Sequence, residues 1–236
     1  MRRLIMFSLA TAFSTLMNTA SAAATDISGL AVGMSLSDAR SLLIKINPDY
    51  KTEDLRFSDG KTKGLKAVAQ KDGKPVDQLV IMANNTDAIW FIGRQQNYAE
   101  GQRIPGAELR NALIQKYGEP SYDAGPGLYR FSWDRDRENR LYSKKNAKRS
   151  SPCPVRPMMN YFSGTQITIP ENFSAECGMV INANASVDMG SQMVTQLVTQ
   201  VTNIKPRFDE LQAEQQAAQQ EQQRLQQKEQ ANKPKL

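Results

Sequence analysis

The stretch LKAVAQKDGKPVDQLVIMANNTDAIWFIGRQQNY, residues 65–98, decides the fold class. Three runs rich in β-branched and aromatic residues, 65–70, 77–84 and 88–98, are separated by the turn-forming tetrapeptides DGKP and NNTD. Short β-rich runs joined by such turns predict an antiparallel meander. Upstream, SLSDARSLLIKINP predicts a helix. Ser35 or Ser37 can cap it, Leu36, Ala39, Leu42, Leu43 and Ile46 recur at helical spacing, and Pro48 ends it. Downstream, PGAELRNALIQKYG predicts a second helix, with Pro105 in its first turn, Leu109, Ala112, Leu113 and Tyr117 inward, and Gly118 at its end. Strands are then expected at 128–134, 165–169 and 178–185.

The two halves overlay at an offset of 70 residues. DARSLLIK (38–45) falls on ELRNALIQ (108–115), matching an acid, Arg, Leu and Ile in order. The expected fold is therefore α+β: antiparallel sheet units each preceded by a helix, a duplicated α-β-β-β arrangement, with a long polar C-terminal helix. Chance likeness between two amphipathic helices is the competing explanation. The expected organisation is a leader at 1–24, a first helix-plus-sheet unit at 25–103, a second at 104–187, and a C-terminal helix with its Gln-rich tail at 188–236.

The leader reading rests on MRRLIMFSLATAFSTLMNTASAAA: a basic start, an apolar run from Leu4 to Leu16, then small residues that suit signal peptidase. The run is too short for a membrane anchor, so the chain is expected in the periplasm or outside the cell. Cleavage leaves 212 residues, enough for a real core. The only cysteines, Cys153 and Cys177, lie in the exported part and are expected to form one disulfide.

Loss of Arg2 and Arg3 lowers the net charge from +6 to +4. The segment DRDRENRLYSKKNAKRSSPCP (134–154) sets seven basic against three acidic residues and alone carries that surplus. It is the candidate anion-binding element, through Arg140, Lys144, Lys145, Lys148 and Arg149, for an anionic lipid or glycan surface. A solvated loop is its plainer reading. No nucleic-acid partner is expected outside the cytoplasm.

From Asp188 a helix is expected, with Met193, Val194, Leu197, Val198, Val201 and Ile204 on one stripe and a break at Pro206. Beyond it lie ten Gln between Gln212 and Gln230. Phe208, Leu211, Ala218 and Leu225 mark a candidate partner-binding or oligomerising face, with a thin heptad spacing that makes only a weak coiled coil. An exposed polar helix is the alternative.

Catalytic patterns find little footing. Ser58-Asp59-Gly60-Lys61 fits S-x-x-K, but Asp-Gly reads better as a turn. Asp134, Asp136 and Glu138 imitate the start of a calcium loop, but Asn139 and Lys145 stand where Gly and Glu are required. The chain has no histidine, the commonest general base and metal ligand. Neither catalytic residues, cofactor nor metal is expected.

At LAVGMSLSDARSLL the sequence resembles the SmpA/OmlA family of outer-membrane assembly lipoproteins. It is also similar in kind to the tandem helix-plus-sheet domains of β-lactamase-inhibitor-like proteins. Gly33, Met34, Ser35, Ala39, Leu42, Leu43 and Pro48 carry the likeness. The second half keeps the helix and the KYGEP ending, Lys116 to Pro120. The lipobox cysteine of those lipoproteins is missing. The resemblance implies a non-catalytic binding or scaffolding module of the bacterial envelope. It does not supply the partner.

Overall fold

The computed structural model describes residues 25–56, 62–125, 127–143, 151–153 and 174–231. The expected leader, the S-x-x-K tetrapeptide and the expected strand at 165–169 lie outside them.

A two-stranded hairpin, β1 (Asp26–Ile27) and β2 (Leu30–Ala31), leads into helix α1 (Leu36–Ile46). Strands β3 (Lys51–Arg56), β4 (Thr62–Lys71), β5 (Lys74–Ala83) and β6 (Ile89–Asn97) follow as the meander. Helix α2 (Gly106–Tyr117) opens the second half, with β7 (Tyr122–Asp123), β8 (Arg130–Asp136), β9 (Cys177–Val187) and β10 (Val194–Asn203). Helix α3 (Ile204–Ala231) completes the described chain. The fold is α+β, as expected.

The large strands form one antiparallel sheet in the order β3-β4-β5-β6-β10-β9-β8-β7. Each half is a helix followed by four strands, and the halves join where β6 and β10 pair antiparallel through the middle. This is one strand per half more than the sequence suggests. The connectivity repeats, but the residues correspond only along the helices, so connectivity alone does not establish a duplication.

Local signals explain the elements. The Ser35 hydroxyl accepts the Asp38 amide at 3.1 Å and caps α1. Gly33, at φ 88°, makes the turn before it, and Met34 packs half-buried against the core. Asp72 and Gly73, both at positive φ (52° and 74°), form the tight β4–β5 turn that DGKP announces. Gly118 ends α2 at φ 85°.

Beyond the short strands β1, β2 and β7, which the sequence did not announce, two longer elements differ from expectation. Strand β3 was not anticipated from the sequence: KTEDLR is polar, and in the fold only Leu55 is half-buried. It is an edge strand, and edges are commonly charged to discourage further pairing. Residues 194–203 were expected in a helix and instead form β10. VTQLVTQVTN places apolar residues at helical spacing, but it is rich in β-branched Val and Thr. At the sheet centre both faces are covered, so Thr199, Gln200 and Thr202 are as buried as Leu197 and Val201. A strand covered on both sides loses its period of two, and the helical pattern is left as the visible one.

One face of the sheet carries the main core. Leu65, Leu79, Ile81, Ile92, Ile181, Trp133 and Val201 meet Leu36, Ala39 and Leu43 of α1, Leu109, Leu113 and Tyr117 of α2, and Ile27 and Leu30 of the hairpin. The Trp133 indole N–H donates to the Gly118 carbonyl at 2.7 Å, so its burial leaves no polar atom unmet. Asp26 holds the hairpin down: its carboxylate takes Lys116 Nζ at 3.1 Å, and its carbonyl takes the Tyr117 hydroxyl at 2.9 Å.

Candidate functional site

The basic segment begins as β8 runs off the sheet. The Asp136 carboxylate accepts the amides of Glu138 (3.1 Å) and Arg140 (2.9 Å) and Arg140 Nε (2.7 Å). Asn139 makes the reversal at φ 62°. Desolvation pushes the Asp136 carboxyl up. The Arg140 amide and guanidinium outweigh it and hold the group below the usual carboxylate range. The second Arg140 arm reaches Glu138 at 2.7 Å, so this guanidinium is engaged by two carboxylates while remaining 67% exposed. Arg135 is buried, donates to the Asn139 carbonyl at 3.1 Å, and has its pKa lowered by burial. The remaining candidates for anion binding, Lys144, Lys145, Lys148 and Arg149, lie outside the described residues.

The expected disulfide is present. Cys153 and Cys177 are joined at an S–S distance of 2.00 Å, with Cα atoms 4.8 Å apart. The bridge is buried on the second sheet face, where it forms a small cluster with Val180. The approach to it is fixed by side chains: Ser151 Oγ donates to Asp134 at 2.6 Å and accepts the Cys153 amide at 3.1 Å. Gly178 is required beside the bridge, because a Cβ there would strike the Asp136 carbonyl oxygen.

This cluster is the seat of α3. Phe208 packs on the disulfide and Val180, while the Arg137 guanidinium lies 5.4 Å above its ring. Asp209 stands 3.8 Å from Arg137 and 2.6 Å from Lys205. One turn further, the Glu210 carboxylate accepts the Asn85 amide at 2.8 Å, and Glu214 accepts the Asn85 side chain at 3.2 Å. Pro206, expected to break a helix, instead stands in the first turn of α3, where its missing N–H is harmless.

After this anchor the helix is uncovered. Every residue from Gln212 to Gln230 is exposed, in a helix of 28 residues and so about 42 Å long. The four candidate partner-binding residues therefore divide. Phe208 is spent on the anchor and Leu211 lies half-buried beside it, whereas Ala218 and Leu225 face outward, Leu225 at 46% exposure. The Gln-rich composition could announce the helix, but only the tertiary contact of Phe208 shows where it is fastened.

Sequence reading missed a buried polar row on the second face. Gln200 of β10 stands opposite Asn182 of β9, which stands opposite Ser132 of β8, with Thr202 two residues along from Gln200. Gln200 and Thr202 are 0% exposed. Both Gln200 amide atoms, Asn182 Nδ2 and Thr202 Oγ1 have no hydrogen-bond partner. On the helix-covered face, Arg94 grips Asp77 in a two-armed pair at 3.0 and 2.6 Å and also reaches Ser28, tying the hairpin to the sheet. A shallow trough of about 310 Å³ opens near the β3 edge, lined by Lys51, Lys66, Gln70 and Gln78.

Among the described residues, no group of three or more His, Cys, Asp or Glu is arranged to hold a metal ion. None of the described helices is long and apolar enough to cross a membrane. The chain was compared with protein-family models, with curated proteins and with solved structures, and none of them matches it.

Proposed function

We propose that the protein is an exported, non-catalytic adaptor of the bacterial envelope that docks onto another protein through α3. The observation that carries this reading is the division of α3 into an anchored root and an uncovered shaft. Phe208, Asp209, Glu210 and Glu214 fasten the root, and the residues from 212 to 230 are exposed throughout. A solitary helix gains little stability without a packed face. A shaft rich in Gln, Ala and Glu, with Ala218 and Leu225 outward, therefore suits contact with a second surface. The leader-like N-terminus and the resemblance to envelope assembly lipoproteins support the compartment and the scaffolding role. The alternative, an anionic lipid or glycan binder, has less support from the described basic segment, because Arg135, Arg137 and Arg140 each already have a protein partner.

The test is crosslinking in the cell with a lysine-reactive reagent, since both the full and the shortened chain keep lysines such as Lys205. The expected result is capture of a discrete envelope protein, lost when the chain is truncated after Glu214. Truncation there keeps the Phe208 anchor and removes only the shaft. If the truncated chain still recovers every crosslinked partner, the adaptor role of α3 is refuted.

A further inference from the structure

We propose that α3 and the Cys153–Cys177 bridge form a redox latch: the root of the helix bars thiols from the bridge, and two-electron reduction of the bridge by a dithiol releases the root. The latch works whatever the shaft of α3 meets, so it stands apart from the adaptor reading.

The bridge is closed to attack in the folded protein. A disulfide is cleaved by a thiolate that must reach one of its sulfurs, and Cys153 and Cys177 are each 1% exposed. Among the described residues, Phe208 is the side chain that α3 lays on this cluster, and the Arg137 guanidinium sits 5.4 Å above its ring. The sheet beneath is hard to open, because Cys177 begins β9, which pairs with both β8 and β10. The helix above is lightly held. Phe208 is only half-buried, the Arg137–Asp209 pair is wide at 3.8 Å, and Glu210 and Glu214 meet Asn85 at the surface. Exposed ion pairs add little to stability, so the root opens at a lower free energy than the sheet. Lifting of the root is thus the route by which a reductant enters.

In the exchange, a thiolate of the dithiol bonds to one bridge sulfur and the S–S bond breaks. The other cysteine leaves as a thiolate and takes a proton from water. The second thiol of the reductant, deprotonated in turn, attacks the mixed disulfide and expels the remaining cysteine, which is also protonated. Two electrons pass to the protein, and the reductant is left as a disulfide. Cys153 is then no longer tied to the start of β9, and the seat of Phe208 comes apart. The coupling is reciprocal: a reduced bridge loosens the helix, and a helix drawn off the sheet lays the bridge open.

The experiment follows reduction of the purified protein by dithiothreitol under native conditions, with a maleimide–polyethylene glycol gel shift counting the freed thiols. Urea melts confirm that each variant is folded. Phe208→Ala should speed reduction about tenfold, the effect of losing a half-buried aromatic from the closed state. Ile81→Val, in the core on the other sheet face, brings a comparable loss of global stability. It should leave the rate within about twofold, because the root opens without the sheet. After reduction, trypsin should cut the wild-type chain faster at the Arg207–Phe208 bond. If Phe208→Ala leaves the rate unchanged, the helix does not shield the bridge and the inference falls. If Ile81→Val speeds reduction as much as Phe208→Ala, the bridge opens only with the whole fold, and it falls as well. Unchanged cleavage after reduction would show that the bridge does not hold the root, which also overturns the latch.

Discussion

Replacing both cysteines by serine probes the fastening of α3 most directly. The bridge spans a sequence separation of 24. By the loop-entropy relation, releasing a closed loop of that size costs about 3.5 kcal/mol. For a urea slope of about 2.5 kcal/mol/M, the unfolding midpoint falls by about 1.4 M. The loss is not spread evenly. The disulfide is part of the apolar seat of Phe208, so two hydroxyls would lie under the ring where sulfur lay before. The first turn of α3 should loosen before the sheet does. Brief trypsin treatment under native conditions should therefore cut the double variant faster at the Arg207–Phe208 bond, while the core around Trp133 keeps its near-ultraviolet signal. If the midpoint moves by less than about 0.3 M and cleavage after Arg207 is unchanged, the disulfide does not hold the root of the helix.

Two further outcomes are expected. Gln200 is fully buried with both amide atoms unpaired, so Gln200→Leu should raise stability by about 1–2 kcal/mol; a loss in thermal or urea melts would mean that the amide is satisfied by a bound molecule such as water. Asp136 has its folded pKa held below the unfolded value, so its contribution is present above the unfolded pKa of about 3.9 and disappears as pH falls through the folded value. Asp136→Asn should cost about 1.5 kcal/mol at neutral pH and flatten the acid limb of a stability–pH curve; an unchanged acid limb would show that other carboxylates set it.

The meander and the two packing helices were legible because each shows one buried face. Leu79, Ile81 and Ile92 point into the core between turns with recognisable chemistry, and Leu36, Ala39 and Leu43 trace a helical stripe. Strand β10 was not legible, since burial on both faces erased its alternation and left Val194, Leu197, Val198 and Val201 at helical spacing. Edge strand β3 was hidden for the opposite reason, having almost no buried side. The disulfide followed from cysteine arithmetic. The anchoring of Phe208 did not, because its partners Val180 and Arg137 come from β9 and from the turn beyond β8, remote in sequence. The buried row of Gln200, Asn182 and Thr202 carried no signal either, since amides and hydroxyls in a strand ordinarily read as solvent-facing.

The position of β10 has a consequence for the order in which the molecule can form. The last strand of the sheet is also one of its two central strands, flanked by β6 and β9. A chain emerging from its N-terminus can assemble β3 to β6, but β6 then presents an unpaired edge beside Phe91 and Ile92 until residue 203 has been delivered. Pairing across such a distance is slow, because loop closure precedes any reward. An open apolar edge also invites other chains. The interval between completing the first four strands and inserting the tenth is thus when the protein is most exposed to aggregation, and a guardian that covers β6 would be needed only then.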